Sequence, residues 1–188
     1  MEDMMETAGH PVEIVDADAI VRHLQRPGEP GWLAIVDHYG PTIIDPVTEE
    51  LDREELARRI FSSESERNQL NRLIHPLVRL EERRLIDEAH LNGSHVLLVV
   101  PLLFETGLEE WCDAVIVVTI DPEIRISRLM KSRGMTRDQI EARLAVQLPE
   151  QELIQRSTYI LDNSGTVKEL RAEVQELWEE IIRTFQDR

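Results

Sequence analysis

The chain of 188 residues is poor in several things at once: one cysteine, eight scattered glycines and an aromatic share of 4%. The lone Cys112 excludes an intramolecular disulfide framework and a cysteine-rich zinc site, and it reads as a small buried thiol in a reducing compartment. The longest apolar run, Val96 to Phe104, is interrupted by Pro101 and falls far short of the ~20 residues of a membrane helix. Met1 to His10 carries acids but no Lys or Arg, unlike a secretory signal or a transit peptide. A cytoplasmic protein without a membrane role is expected. No spacing of metal ligands occurs, so no metal site is assigned. Positive charge is scarce too: 37 acidic residues face 21 basic ones, for a net charge of −16. Such a field repels a phosphate backbone, so nucleic acid is not an expected partner and an anionic ligand must meet a local basic site. Only Lys131 and Lys168 are lysines, a ratio from which no mechanism follows.

What is present is the composition of an ordinary globular protein of one domain, 41% apolar and 31% charged. Val96 to Val100, Ala114 to Ile120 and Thr158 to Leu161 read as buried strands, with a weaker one at Val12 to Val15. Helix starts are legible at Asp121-Pro122, at Thr136 with Gln139, and at Thr166 with Glu169. Continuous apolar strands joined through helices predict a parallel sheet in a three-layer α/β architecture. From about 17 to 92 helical periodicity takes over. Trp32, Ile35, Val36 and Tyr39 share one face, Asp52 with Glu55 opens another helix, and Leu70 to Leu91 forms an amphipathic stretch expected to bend or break around His75-Pro76. A helical insertion at that point lies where open α/β sheets place substrate contacts.

Several residues could carry chemistry. Asp16 and Asp18 follow the first strand, so one can cap a helix while the other serves as a base; two capping aspartates are the alternative. His75 and Arg79 are one helical turn apart, which suits a phosphate-bearing ligand or a purely structural face. Pro101 ends the second strand in a turn, and Glu105 is the first polar side chain after it; a packed loop with an exposed glutamate is the alternative. Arg125, Arg128, Lys131, Arg133, Arg137 and Arg143 form a basic cluster with a hinge at Gly134, able to close over a polyanion or to act as a solvated face. No Gly-rich phosphate loop occurs among the 188 residues.

Asp16-Ala17-Asp18-Ala19-Ile20, Arg26-Pro27-Gly28, Leu51-Asp52-Arg53, His75-Pro76-Leu77-Val78-Arg79, Val100 to Glu105 and Asp162-Asn163-Ser164-Gly165 together resemble dephospho-coenzyme A kinase in order and spacing, from about Gly9 onward. The resemblance implies a P-loop kinase-like fold with a helical CoA-side insertion (about 17–92) and a lid (about 125–150), in a single domain spanning 1–188. It implies phosphorylation of the ribose 3'-hydroxyl of dephospho-CoA, a small-molecule substrate, with ATP and Mg²⁺. By residue, Asp18 would accept the hydroxyl proton and Asp16 support the turn. His75, Arg79, Pro101 and Glu105 would face the substrate, Arg128 and Arg133 the triphosphate, and Asn163 and Gly165 the adenine.

The sequence also departs from that family. Its members begin with an apolar strand and G-x-x-x-x-G-K-[ST], whose counterpart here would fall at or before Met1, so the first central strand and the phosphate cradle are missing. Ser132 stands where a second lid arginine is expected, with Arg133 one place later, and Leu153 where a basic residue is common. The missing strand would lie between Val96–Val100 and Ala114–Ile120. The resulting expectation is a start upstream of Met1, with Met1, Met4 or Met5 internal to the helix after the loop, and no useful phosphate transfer by the chain as it stands. A non-catalytic paralogue that binds CoA or a nucleotide, and a different small-molecule P-loop kinase, are the competing readings.

Overall fold

The computed structural model describes residues 11–145 and 147–186, so the expected helix around Met1, Met4 and Met5 lies outside the described residues. The chain divides into two compact units, one ending at Pro101 and the other beginning at Leu102. Each contains its own pair of parallel strands.

In the first unit β1 (Val12–Asp16) is followed by four α-helices before the chain returns to β2 (His95–Val99): α1 (Ala17–Leu24), α2 (Pro30–Tyr39), α3 (Arg53–Ser62) and α4 (Glu64–Leu91). The register pairs Val12 with His95 through Asp16 with Val99, and a bond from His95 N–H to the Pro11 carbonyl extends the ladder. Helix starts follow local chemistry. Asp52 accepts from the N–H groups of Glu54 and Glu55 at the head of α3, and Ser63 accepts from Glu66 N–H at the head of α4. Along α4 the buried residues Ile74, Val78, Glu82, Ile86 and Ala89 form one stripe. Ile74, Val78 and Ile86 of that stripe pack with Val15, Ile20, Leu24, Ile35, Ile43, Leu51 and Leu56 into an apolar core.

Helix α4 runs through Pro76 as one element, so of the expected bend or break the break does not occur. Proline removes one helical donor and crowds the preceding turn. Here apolar residues on both sides of it, Ile74 and Val78, are buried in the same core, and that packing holds the helix together.

The second unit carries a short helix α5 (Leu103–Thr106), then β3 (Ile116–Thr119), α6 (Pro122–Arg133), α7 (Arg137–Leu144), α8 (Glu150–Arg156), β4 (Tyr159–Asp162) and the long α9 (Val167–Gln186). Strands β3 and β4 run parallel from Ile116↔Tyr159 to Thr119↔Asp162. The three later strands are each displaced or shorter than the apolar runs suggested, because ladder bonds set strand ends rather than hydropathy. Thr136 and Gln139 make a reciprocal capping box at the head of α7, and Gly134 ends α6 with a left-handed φ of 63°. Val174, Trp178 and Ile182, spaced by one turn, bury one face of α9. Among the described residues no helix is long and apolar enough to cross a membrane.

Candidate functional site

At the carboxyl end of β1 the two aspartates take different roles. Asp16 is the N-cap of α1, its Oδ1 accepting the Ala19 N–H at 3.1 Å. Asp18 sits in the first turn of the same helix, exposed, and its carboxylate has no hydrogen-bond or ion-pair partner among the described residues. One carboxylate is thus committed to the backbone, and the other remains an acceptor at a strand terminus, where parallel sheets present ligand contacts.

On α4 His75 and Arg79 are both exposed. His75 lines a shallow groove with Asn68, Asn71, Arg72 and Pro76, and Arg79 is not among the lining residues. Electrostatically Arg79 acts on Glu82, which is 1% exposed and whose Oε2 has no hydrogen-bond partner. Burial pushes the Glu82 carboxyl above its usual range, and the Arg79 charge opposes that rise only in part. A second polar recess, unnoticed in the sequence, is lined by His38, Tyr39, Arg58, Arg59 and Glu66. There the Arg59 guanidinium lies 5.6 Å from the Tyr39 ring centroid while Nε bonds to Glu55 at 2.7 Å. Two hydrogen-bonded arginines hold Glu55 down to about 2. The sequence signal for this recess was present, Tyr39 on one helical face and paired arginines on the next helix, but nothing local showed that they meet.

In the second unit the candidate residues converge more tightly. Arg128, on α6, reaches across to the β4–α9 loop: Nη1 donates to the Asn163 carbonyl at 2.6 Å and to Asn163 Oδ1 at 3.1 Å, and Nη2 donates to the Gly165 carbonyl at 2.7 Å. Thus Arg128, Asn163 and Gly165 lie together. Ser164 completes the arrangement, its Oγ accepting from Asp121 N–H at 2.8 Å while its own N–H donates to Asp162 Oδ1 at 2.8 Å. Those bonds from Ser164 hold the Asp162 carboxyl below its usual range.

The remaining candidates are placed less directly on a ligand. Glu105 accepts the Leu148 N–H at 3.3 Å and so fastens the segment after α7, whereas Pro101 is an exposed turn residue closing the first unit. Arg133 is exposed at the end of α6 and has no partner among the described residues. Arg137 is engaged, gripping Glu123 through both terminal nitrogens and contacting Glu141, which ties α6 to α7. Arg125 bonds to Gln147 at 3.3 Å.

Among the described residues no cluster of three or more His, Cys, Asp or Glu side chains could cage a metal ion. Mg²⁺ in phosphoryl transfer needs only one or two protein oxygens beside phosphate and water, so a cation carried in by a nucleotide triphosphate is compatible with this donor set.

Comparison with known proteins decides the family. A family model described as dephospho-CoA kinase matches residues 4–169. The chain belongs to the dephospho-CoA kinase family. It is 38% identical over 174 residues to a dephospho-CoA kinase of Geobacillus kaustophilus, an alignment covering 91% of this chain and 84% of the relative. Among solved structures it superposes on TT1252 from Thermus thermophilus with a TM-score of 0.72 at 30% identity, covering 95% of this chain and 88% of that one. A dephospho-CoA kinase from Campylobacter jejuni, 18% identical, matches in fold with a TM-score of 0.60 over 96% of this chain and 89% of its own. The parallel strands and helices are therefore an α/β, P-loop kinase-like fold, and membership in the dephospho-CoA kinase family makes the chain a kinase-type transferase of coenzyme A synthesis.

Proposed function

We propose that the chain carries the acceptor and nucleotide residues for phosphorylating the ribose 3'-hydroxyl of dephospho-CoA with MgATP, the final step of coenzyme A synthesis in the cytoplasm. The observation that carries this reading is the division of labour between Asp16, spent as a helix cap, and Asp18, left as an unpartnered carboxylate at the end of β1. In the reaction the 3'-oxygen bonds to the γ-phosphorus, the bond from that phosphorus to the ADP oxygen breaks, and the hydroxyl proton passes to the Asp18 carboxylate. His75 and Arg79 serve the acceptor side, with Pro101 and Glu105 shaping the substrate loop. Arg133 serves the triphosphate, and Asn163 and Gly165 serve the adenine. The magnesium ion, bound with ATP, neutralises charge on the phosphates.

A second reading is a relative that binds CoA or a nucleotide without catalysis. Its support is in the lid, where Ser132 stands at the place that the resemblance gives to a second arginine; the G-x-x-x-x-G-K-[ST] loop of the resembled family does not occur within the 188 residues given. Such a loop holds the β- and γ-phosphates, and each ~1.4 kcal/mol of lost stabilisation costs a factor of ten in rate. The test compares CoA formation by the 188-residue chain and by a version with an apolar strand and a G-x-x-x-x-G-K-S-T segment fused before Met1. The extended version is expected to be faster by several orders of magnitude. Two versions that bind dephospho-CoA but never turn it over would establish the binding-module reading, and equal activity would refute the need for the loop.

A further inference from the structure

Arg128 belongs, by resemblance, to a lid over the triphosphate, yet its geometry in this structure serves something else. Its two terminal nitrogens meet the carbonyls of Asn163 at 2.6 Å, Ser164 at 3.5 Å and Gly165 at 2.7 Å, together with Asn163 Oδ1 at 3.1 Å. A guanidinium engaged by acceptors on three consecutive residues would have to break several charge-assisted bonds before reaching a phosphate. We propose that Arg128 is a positioning residue that shapes the Asn163–Gly165 loop for the nucleobase and makes no contact with the triphosphate. The proposal rests on the adenine-side assignment of Asn163 and Gly165 made above.

The consequence lies on the opposite side of the loop. In a trans peptide the carbonyl and the following N–H point in opposite directions, and the described residues contain no cis bond. Drawing the carbonyls of Asn163, Ser164 and Gly165 towards α6 therefore turns the N–H groups of Ser164, Gly165 and Thr166 away from it. Ser164 N–H is taken by Asp162 Oδ1 and Thr166 N–H by Glu169 Oε2, at 2.8 and 2.7 Å. Gly165 N–H alone of the three has no partner among the described residues. That leaves a single backbone donor, aimed by Arg128, of the kind that a ring-nitrogen acceptor of adenine matches and the ring N–H of guanine does not. The loop is held independently by the Asn163 N–H, which donates to the Thr119 carbonyl, and by the Asp121 N–H on Ser164 Oγ, so Arg128 refines a loop that already exists.

The test is calorimetric titration of the 188-residue chain with adenosine and with ATP. Arg128→Ala should weaken both ligands by the same factor, about tenfold. Arg128→Lys, which keeps the charge but loses the fork, should do nearly as badly. A phosphate contact would instead leave adenosine untouched, weaken ATP, and be rescued by lysine; that pattern overturns the proposal. Unchanged adenosine affinity in Arg128→Ala overturns it as well, as does a parent chain that binds ATP but not adenosine. A parent chain that binds neither defeats the adenine-side assignment itself. Ser164→Ala keeps Arg128 and loosens the same loop, and it should weaken both ligands equally by a smaller factor, about threefold. Faster amide exchange at Ser164 and Thr166, whose N–H groups are hydrogen-bonded in the parent, with an unchanged melting temperature, separates loop loosening from unfolding in the Arg128 variants.

Discussion

The two units hold their candidate residues by different means. Up to Pro101 an apolar core of helices surrounds Ile35 and Ile43, both fully buried, and Asp18, His75 and Arg79 stand exposed on its surface. From Leu102 onward polar bonds bring Arg128, Asp121, Asn163, Ser164 and Gly165 together across 35 or more residues of sequence. The first arrangement displays side chains on a rigid scaffold, while the second builds its loop from the functional groups themselves. A scaffold tolerates surface substitution and fails when its core is hollowed. A polar network keeps its place when a single donor is removed but loses the fine aim of the groups that donor held.

The largest effect should come from the first unit's core. Ile35→Ala leaves a cavity at a fully buried position and is expected to cost about 2 to 5 kcal/mol, read by chemical denaturation. A loss under about 1 kcal/mol would show that packing does not set the stability of the helical unit.

Next comes Glu82, the one charged group in the buried stripe of α4. Because its carboxyl is raised in the folded state, folding takes up a proton there, and the contribution of Glu82 to stability is fully present below the unfolded value of 4.5 and is lost as pH rises through the folded value. Glu82→Gln should flatten that fall and stabilise the chain at neutral pH by about 1 to 3 kcal/mol. Destabilisation at pH 7 would mean that Glu82 is charged and usefully paired.

Asp16→Ala should destabilise by about 0.5 to 2 kcal/mol through loss of the α1 cap, whereas Asp18→Asn should leave the melting temperature nearly unchanged. Equal effects would erase the distinction between the two aspartates. The smallest change belongs to Glu105→Gln, which keeps an acceptor for Leu148 N–H and should cost no more than about 0.5 kcal/mol.

How much of this was legible beforehand follows the same division. Helix caps at Asp52, Asp121 and Thr136, and the apolar face of Trp32, Ile35, Val36 and Tyr39, are local signals, and the structure contains each of those helices. The split between Asp16 and Asp18 was legible as a possibility because both sit within one turn of a strand end. Continuity of α4 through Pro76 was not, since the local rule against proline was outweighed by packing on distant helices. Nor was the Arg128 clamp legible. Residues such as Arg128 and Gly165 are joined by backbone carbonyls, which carry no trace in side-chain identity, and a basic cluster on α6 reads equally as a phosphate lid. The groove beside His75 likewise contains Arg72 rather than Arg79. Helical spacing places both arginines within reach of His75 and does not choose between them.

The central claim is that Asp18 accepts the proton of the acceptor hydroxyl. The most direct measurement is steady-state CoA formation from dephospho-CoA and ATP by the loop-extended chain with and without Asp18→Asn. The account predicts a fall in kcat of about 10²- to 10⁴-fold with the KM for ATP nearly unchanged. Equal kcat in the two proteins would contradict it.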